Sequence, residues 1–193
     1  MAEAAHKLHR SYDEHLALEE ETGLRHEYLD GEAWAMAGGT IRHAAIQGNL
    51  YGAVRDALRG RPCRPFGSDC KIRIPDTGLA TYPDLSVICG PPLVQAGYPR
   101  AATNPILLAE VLSESTEAWD RGGKFAHCRR LPSLQYYLLV SQEPQRVELY
   151  TRSTEGAWTL TEHAPGTSVS LPLLGITLPV DALYEDLIDE ELV

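Results

Sequence analysis

One acidic residue inside an apolar strand places the strongest constraint on this chain. Residues 105–112 form its most apolar run, which is typical of a central strand covered on both faces, yet Glu110 lies within that run. An ionised carboxylate in such a place is costly unless it is paired, hydrogen-bonded or bound to a metal. The fold must therefore supply Glu110 with a partner, which is a hydrogen-bond donor, a buried basic side chain or a metal ion.

Asp84 is the second acid that the sequence singles out. It follows Pro83 and opens the apolar strand predicted at Leu85–Cys89. An aspartate at the start of a strand often only caps a turn. However, acids on neighbouring strands can converge on one divalent cation, and Mg²⁺ takes carboxylate oxygens while keeping waters for a phosphate substrate. The two acids together favour a metal-dependent site that acts on phosphate esters.

A lysine two residues after the buried acid would complete the Asp…Glu-x-Lys pattern of metal-dependent nucleases. Position 112 is leucine, so the literal pattern fails. Lys124 is the candidate substitute, because it lies two turns into the next predicted helix and could reach back over the end of the sheet. It also lies four residues after Asp120, the spacing of an ordinary surface ion pair, and the spacing alone leaves both interpretations open.

Local patterns predict a single α+β domain over residues 1–193. Ser11 and Glu14 form a capping box for a helix that runs to about Glu21, and Asp30-Gly31 predicts a β-hairpin. Apolar periodicity predicts further helices at 41–59, at 117–130 with Thr116 as N-cap, and from Asp181 at the C-terminus. Strands are predicted at 63–69, 70–74, 85–89, 106–112, 134–140, 146–152 and 158–163, with a loop between 89 and 106.

Composition limits the range of partners. The net charge is −10 and the pI is about 5.1, which argues against a nonspecific nucleic-acid coat or a membrane-surface protein. No stretch is apolar enough to span a membrane, and the N-terminus has no apolar signal segment, so we expect a cytoplasmic protein. The cations are densest at Arg55, Arg59, Arg61, Arg64, Lys71 and Arg73, where they form either a nucleic-acid contact or a solvated surface.

The four cysteines lie at positions 63, 70, 89 and 128, without a Cys-x-x-Cys pair. This scatter argues against a structural zinc site and does not indicate a disulfide framework. We therefore expect the cysteines to be reduced and mostly packed.

Six segments together resemble a known family. They are His26–Glu32, His43 with Asn49-Leu50, 82–87 (YPDLSV), 108–116 (LAEVLSEST), 120–124 (DRGGK) and 131–137 (LPSLQYY). Over roughly residues 11–188 the chain resembles the Uma-two family within the PD-(D/E)XK nuclease superfamily. The resemblance implies a restriction-endonuclease-like fold, with a mixed sheet flanked by helices.

The resemblance also implies an activity and a set of site residues. By it, Asp84 and Glu110 are the metal-binding acids, Lys124 is the displaced lysine and Glu27 is an auxiliary acid near the site. The implied activity is an endonuclease that depends on Mg²⁺ or Mn²⁺ and hydrolyses phosphodiester bonds of DNA.

Two other functions remain open at the level of sequence. The leucine at position 112 and the negative net charge favour a catalytically silent binding or scaffold protein that keeps the nuclease fold. A metal-dependent hydrolase of another small phosphodiester is the third option.

Strands 146–152 and 158–163 could pair in a homodimer or be covered within the monomer. His43 follows a Gly-Gly-Thr loop, where it either touches a phosphate or is merely solvated.

Overall fold

In the residues that the structure describes, two six-stranded sheets and a two-stranded ribbon make up the β-structure. The computed structural model describes residues 10–36, 38–96 and 98–187. The strands are β1 (His26–Leu29), β2 (Glu32–Ala35), β3 (Cys63–Gly67), β4 (Lys71–Arg73), β5 (Ala80–Thr81), β6 (Leu85–Cys89), β7 (Val94–Gln95), β8 (Tyr98–Ala102), β9 (Pro105–Val111), β10 (Tyr136–Ser141), β11 (Arg146–Arg152), β12 (Trp158–His163), β13 (Ser168–Leu171) and β14 (Ile176–Pro179). The helices are α1 (Tyr12–Thr22), α2 (Ile41–Ala57), α3 (Glu117–Trp119) and α4 (Phe125–Cys128).

The local signals at the start of the chain are confirmed. The Ser11 hydroxyl accepts the backbone N–H of Glu14, and the Glu14 carboxylate accepts the backbone N–H of Ser11. Asp30 and Gly31 both have positive φ, at 48° and 87°, as the tightest hairpin turns require. This hairpin brings Glu27 of β1 opposite Trp34 of β2.

The first sheet has the strand order β12-β11-β10-β9-β6-β3. At its centre β9 is parallel to β10 and antiparallel to β6. Helix α2 and the β13–β14 ribbon cover one face, while the segment around α4 covers the other. Side chains alternate along β9, so Glu110 shares the α4 face with its neighbours Leu108 and Leu112. The predicted central strand is therefore confirmed.

The second sheet has the order β2-β1-β5-β4-β8-β7 and includes a segment that we predicted as a loop. Within 89–106, β7 and β8 form a short antiparallel pair, and β8 also runs parallel to β4. The prolines of this segment favoured the prediction of a loop, because proline is uncommon inside the hydrogen-bonded ladder of a β-sheet. The β13–β14 ribbon was also missed, and the C-terminal helix is reduced to a single 3₁₀ turn, Asp181–Leu183.

The helix predicted at 117–130 is not one regular helix. A π-helical turn at Asp120–Lys124 separates α3 from α4, which ends at Cys128. Thr116 stands at the N-cap position of α3, as expected, but its side chain makes no capping bond, and its hydroxyl lies 2.9 Å from that of Ser113. The Gly122-Gly123 pair disfavours a regular α-helix at this point.

Two of the four cysteines are not reduced, contrary to our expectation. Cys63 and Cys89 are register partners across β3 and β6, and they form a disulfide. Cys128 is free and buried, and Cys70 is free and partly buried. The pairing depends on strand register, which cysteine spacing does not reveal.

In the part of the chain that the structure describes, no helix is long and apolar enough to cross a membrane. The cytoplasmic location stays a prediction. The predicted absence of a signal segment concerns the N-terminus, of which residues 1–9 lie outside the described residues. The end of the predicted C-terminal helix lies outside them as well.

Candidate active site

Lys124 is buried among three carboxylates. Its Nζ atom lies 2.8 Å from Glu110 Oε1, 3.2 Å from Glu27 Oε1 and 3.5 Å from Asp120 Oδ1. The lysine is only 4% exposed, and none of the three acids exceeds 5%. This burial rules out the surface-pair interpretation and places Lys124 over the sheet, beside the acid of the central strand.

The π-helical turn and Gly123 give this cluster its shape. A π-helical turn carries one more residue than an α-helical turn and shifts the side chains that follow it. At Gly123 the indole of Trp119 packs directly on the backbone, since a Cβ atom there would lie 2.2 Å from Trp119 Cζ3. The indole Nε1 donates a hydrogen bond to Glu27 Oε2 at 3.3 Å, and the Thr81 hydroxyl donates to Glu27 Oε1. Glu27 is thus held by contacts from two other segments.

Acidic groups outnumber basic groups in this cluster, with three carboxyl groups around one amine. Burial raises the pKa of Glu110 well above its ordinary value, and the nearby Asp120 and Asp84 add to this, while Lys124 opposes it. Burial alone would lower the pKa of Lys124, but the attraction of its three carboxylate neighbours raises it well above the usual range. Lys124 is therefore an ammonium ion at neutral pH. One buried ammonium therefore faces three carboxyl groups, of which Glu110 and Asp120 have pKa values raised by burial and so bind a proton more readily than exposed carboxyl groups do.

Asp84 lies beside Glu110 but does not contact Lys124. The pairing of Leu85 with Ala109 places Asp84 level with Glu110 at the end of β6. Its Oδ2 atom accepts the backbone N–H of Val111 at 2.7 Å, and its Oδ1 atom lies 3.2 Å from Gln47 Nε2. The two predicted acids therefore come together at the same end of the sheet.

His43 also contacts Asp84. Its Nε2 atom lies 3.3 Å from Asp84 Oδ2. Hydrogen bonding to Asp84 raises the pKa of His43 despite its partial burial. The Thr40 hydroxyl caps α2 by accepting the His43 backbone N–H at 3.1 Å, which fixes the start of the helix. A Cβ atom at Gly39 would lie 2.7 Å from His43 Nδ1, so the ring is confined there as well.

Sequence reasoning missed three residues of this site. They are Gln47, Thr81 and Trp119. Gln47 follows His43 by four residues on α2 and so shares its face, a spacing that the sequence does show. Thr81 and Trp119 carry no such signal, because their role depends on the packing of separate segments.

The two acids fit a hard divalent cation only in part. Among the described residues, no three His, Cys, Asp or Glu side chains form a group that could hold a metal. However, Glu110 Oε1 is a buried acceptor without a hydrogen bond of good geometry, although Lys124 Nζ is 2.8 Å away. Mg²⁺ is commonly held by one or two carboxylates, with waters and substrate phosphate completing its shell. Asp84 and Glu110 fit that donor set, and do not form a closed metal cage.

Comparison with known families adds to this geometry. Residues 12–181 match the family model Uma2, described as "Putative restriction endonuclease". The chain belongs to the Uma2 family. The resemblance inferred from the sequence motifs is thus confirmed.

Two relatives and a solved structure extend the comparison. The chain is 38% identical to the uncharacterized protein slr1290 of Synechocystis sp. over 177 residues, which cover 92% of both chains. It is 36% identical to the uncharacterized protein sll1609 of the same organism over 149 residues, covering 77% of this chain and 84% of the relative. A crystal structure titled as a "putative nuclease belonging to DUF820" from Anabaena variabilis is 21% identical, with a TM-score of 0.73, and covers 93% of this chain and 99% of that one. The predicted α+β, restriction-endonuclease-like fold is confirmed.

The predicted cation-rich stretch of this Uma2 chain is split by the fold. Its first four members, Arg55, Arg59, Arg61 and Arg64, are exposed. Lys71 and Arg73 are instead buried in the second sheet. The Lys71 ammonium lies 3.1 Å from His15 Nε2 and forms an ion pair with Glu19. Neither Lys71 nor Arg73 is therefore placed to bind a phosphate backbone.

Proposed function

We propose that this Uma2 chain is an endonuclease that hydrolyses phosphodiester bonds of DNA with Mg²⁺ or Mn²⁺. The observation that carries the proposal is the burial of Glu110 against the Lys124 ammonium with Asp84 level beside it. Two carboxylates and a fixed cation at one end of a sheet can hold a metal ion and stabilise the charge that develops in phosphodiester hydrolysis.

Each side chain has a role that follows from its contacts. Asp84 and Glu110 would hold the metal, which when bound polarises the phosphate and lowers the pKa of a bound water. Lys124 would orient or deprotonate the attacking water and offset negative charge on the phosphate, because its ammonium is fixed 2.8 Å from Glu110.

Glu27 and Asp120 act as positioning residues. Both contact the Lys124 ammonium and lie on segments other than β9. They hold the ammonium beside Glu110, where the substrate phosphate would meet it. His43 and Gln47 play the same part for Asp84, because they contact its two carboxylate oxygens separately.

A catalytically silent binding protein with the same fold is the second candidate. It is favoured by the three carboxylates that already surround Lys124, and by the lack of a group of three or more metal-binding side chains in the described part of the chain. Such a protein would bind its partner without cleaving it.

Cleavage assays on wild type and Asp84→Asn separate these candidates. Supercoiled, linear and single-stranded DNA and a nucleotide diester are each incubated with Mg²⁺ or Mn²⁺. Asp76→Asn is the matched control, because Asp76 is an exposed acid whose partner is Arg130, away from the site. We expect cleavage by wild type and the control, and a loss of about 100-fold or more in Asp84→Asn. Cleavage of the diester alone would instead support the small-phosphodiester hydrolase.

Metal binding provides an independent readout. Electron paramagnetic resonance of Mn²⁺ measures bound and free ion without substrate. Asp84→Asn should bind Mn²⁺ more weakly than wild type, while its thermal unfolding stays close to that of wild type. Equal Mn²⁺ affinity and equal cleavage in Asp84→Asn and wild type would contradict the assignment. Uncut DNA with every protein would favour the silent fold.

The homodimer stays a proposal of its own. Strand β12 is an edge of the first sheet and is largely exposed, so its backbone can pair with a second copy. Light scattering over a range of protein concentrations tests this. A constant monomer mass would exclude it.

A further inference from the structure

A cleft beside the charged cluster is lined by two tryptophans. Trp34, on the edge strand β2, and Trp119, on α3, line an open cleft of about 430 Å³ together with Leu29, Asp30 and Glu32. A volume of this size suits a small organic group. Neither proposed metal-binding acid is among its lining residues.

The two indoles offer aromatic surface to a planar ligand. Their ring centroids are 6.1 Å apart and the planes are nearly perpendicular, at 82°. A flat group stacked on one indole would therefore meet the other at its edge. Both rings are only partly buried, so part of each stays accessible at the cleft. Nucleobases stack on such aromatic side chains in many proteins that bind single strands.

The charge of the cleft selects a base rather than a phosphate. Asp30 and Glu32 are exposed carboxylates beside the indoles, and they repel a phosphate backbone. Carboxylates accept hydrogen bonds from exocyclic amino groups, as they do from N4 of cytosine. Thymine has no such amino group, and its one ring N–H donor lies between two carbonyl oxygens that a carboxylate repels. The lining therefore favours amino-bearing bases over thymine.

Trp119 connects this cleft to the charged cluster. The same indole that lines the cleft donates its N–H to Glu27, and Glu27 contacts the Lys124 ammonium at 3.2 Å. Two residues, Trp119 and Glu27, thus connect a ligand in the cleft to the lysine. A strand that places one base there would bring its own phosphates towards the charged cluster.

We propose that this cleft binds one nucleobase of the substrate strand, stacked on Trp34 and Trp119, with its amino group towards Asp30 and Glu32. The inference rests on the proposed function and adds a substrate class to it. A base inside a duplex cannot enter the cleft, so the substrate is single-stranded or has an unstacked base at this point.

Tryptophan fluorescence tests the cleft without any metal or cleavage. The chain has three tryptophans, and Trp158 packs against Phe125 away from the cleft, so Trp158→Phe removes the background signal. In EDTA, dCMP and oligo-dC should quench the remaining fluorescence, and dTMP and oligo-dT should do so much less. In that background, Trp34→Leu should weaken oligo-dC binding by about 5- to 100-fold, while Trp34→Phe keeps most of it.

A charge variant tests the selectivity. Asp30→Asn should reduce the preference of the cleft for dCMP over dTMP. Glu155→Gln removes one negative charge at an exposed turn outside the cleft lining and should leave that preference unchanged.

Failure of this inference is distinguishable from failure of the nuclease proposal. An inactive protein that still binds oligo-dC through Trp34 would overturn the nuclease activity and leave the base site standing. An active protein whose oligo-dC binding and KM are the same in Trp34→Leu as in wild type would overturn the base site alone. Fluorescence that responds to protein concentration and not to nucleotides would also overturn it, in favour of contact with a second copy.

Discussion

Replacement of Gly123 by alanine tests how the packing of Trp119 supports the charged cluster. A Cβ atom at this position would lie 2.2 Å from Cζ3 and 2.4 Å from Cε3 of the Trp119 ring. Carbon atoms pack at about 3.5–4.0 Å, so the ring must move by about 1 Å or more. That movement breaks the hydrogen bond from Trp119 to Glu27. Overpacking of this kind lowers the free energy of unfolding by about 1–3 kcal/mol.

Gly122→Ala is the matched control for this substitution. A Cβ atom at Gly122 meets no atom within 4 Å, and both glycines lie in the same π-helical turn. Both variants gain the same helical preference of alanine over glycine, about 1 kcal/mol, so their difference isolates the contact with Trp119. We expect the thermal unfolding midpoint of Gly123→Ala to lie about 2–10 °C below that of Gly122→Ala.

Thermal unfolding followed by circular dichroism measures this difference. Indole fluorescence of the folded proteins reports the displacement of Trp119 as a change in emission in Gly123→Ala alone. Equal unfolding midpoints and equal emission in the two variants would refute the packing argument.

Three further predictions concern other parts of the structure. Gly39→Ala should displace the His43 ring and weaken Mn²⁺ binding by about 10-fold, as loss of a residue that orients a metal ligand does. Gly38→Ala is the control, because a Cβ atom there meets no atom within 4 Å, and it should leave Mn²⁺ binding unchanged. Equal Mn²⁺ affinities in the two variants would refute this. Burial lowers the pKa of His15 from 6.5 to about 4, so between these pH values His15 is protonated in the unfolded chain and neutral in the folded chain. The free energy of unfolding of wild type should therefore fall by roughly 3 kcal/mol as the pH decreases through this range. Denaturant unfolding should show a smaller loss in His15→Gln, and identical pH slopes would contradict the argument. Cys63→Ser removes the disulfide, which closes a loop of 26 residues. The substitution should lower the free energy of unfolding by roughly 3 kcal/mol and abolish the effect of reductant on thermal unfolding. If reductant does not change the unfolding midpoint of wild type, the disulfide is excluded.

The parts of the fold that the sequence predicted are those set by local physics. The capping box at Ser11 and the Asp30-Gly31 turn depend on residues a few positions apart. The apolar run around Glu110 predicted a central strand because burial on both faces leaves no polar alternation. These signals need no knowledge of distant contacts.

The parts that escaped prediction depend on packing between distant segments. The disulfide between Cys63 and Cys89 follows from the register of two strands. Lys124 was predicted to reach over the end of the sheet, but its position among three acids follows from a π-helical turn, and the Gly122-Gly123 pair indicates only a weak point in the helix. For Glu27, a role near the site came from the family resemblance, while its contact with Trp119 required the structure.

The charged cluster also has a consequence for how the chain folds. Glu27 belongs to the second sheet and Glu110 to the first, and the Lys124 ammonium contacts both. Burial of either carboxylate without the ammonium is unfavourable, because an unpaired buried charge is costly. We therefore expect the two sheets and the Lys124 contacts to form together, as one cooperative step. Amide hydrogens of β1 should consequently exchange with solvent together with those of the Asp120–Lys124 turn, as one cooperative unit.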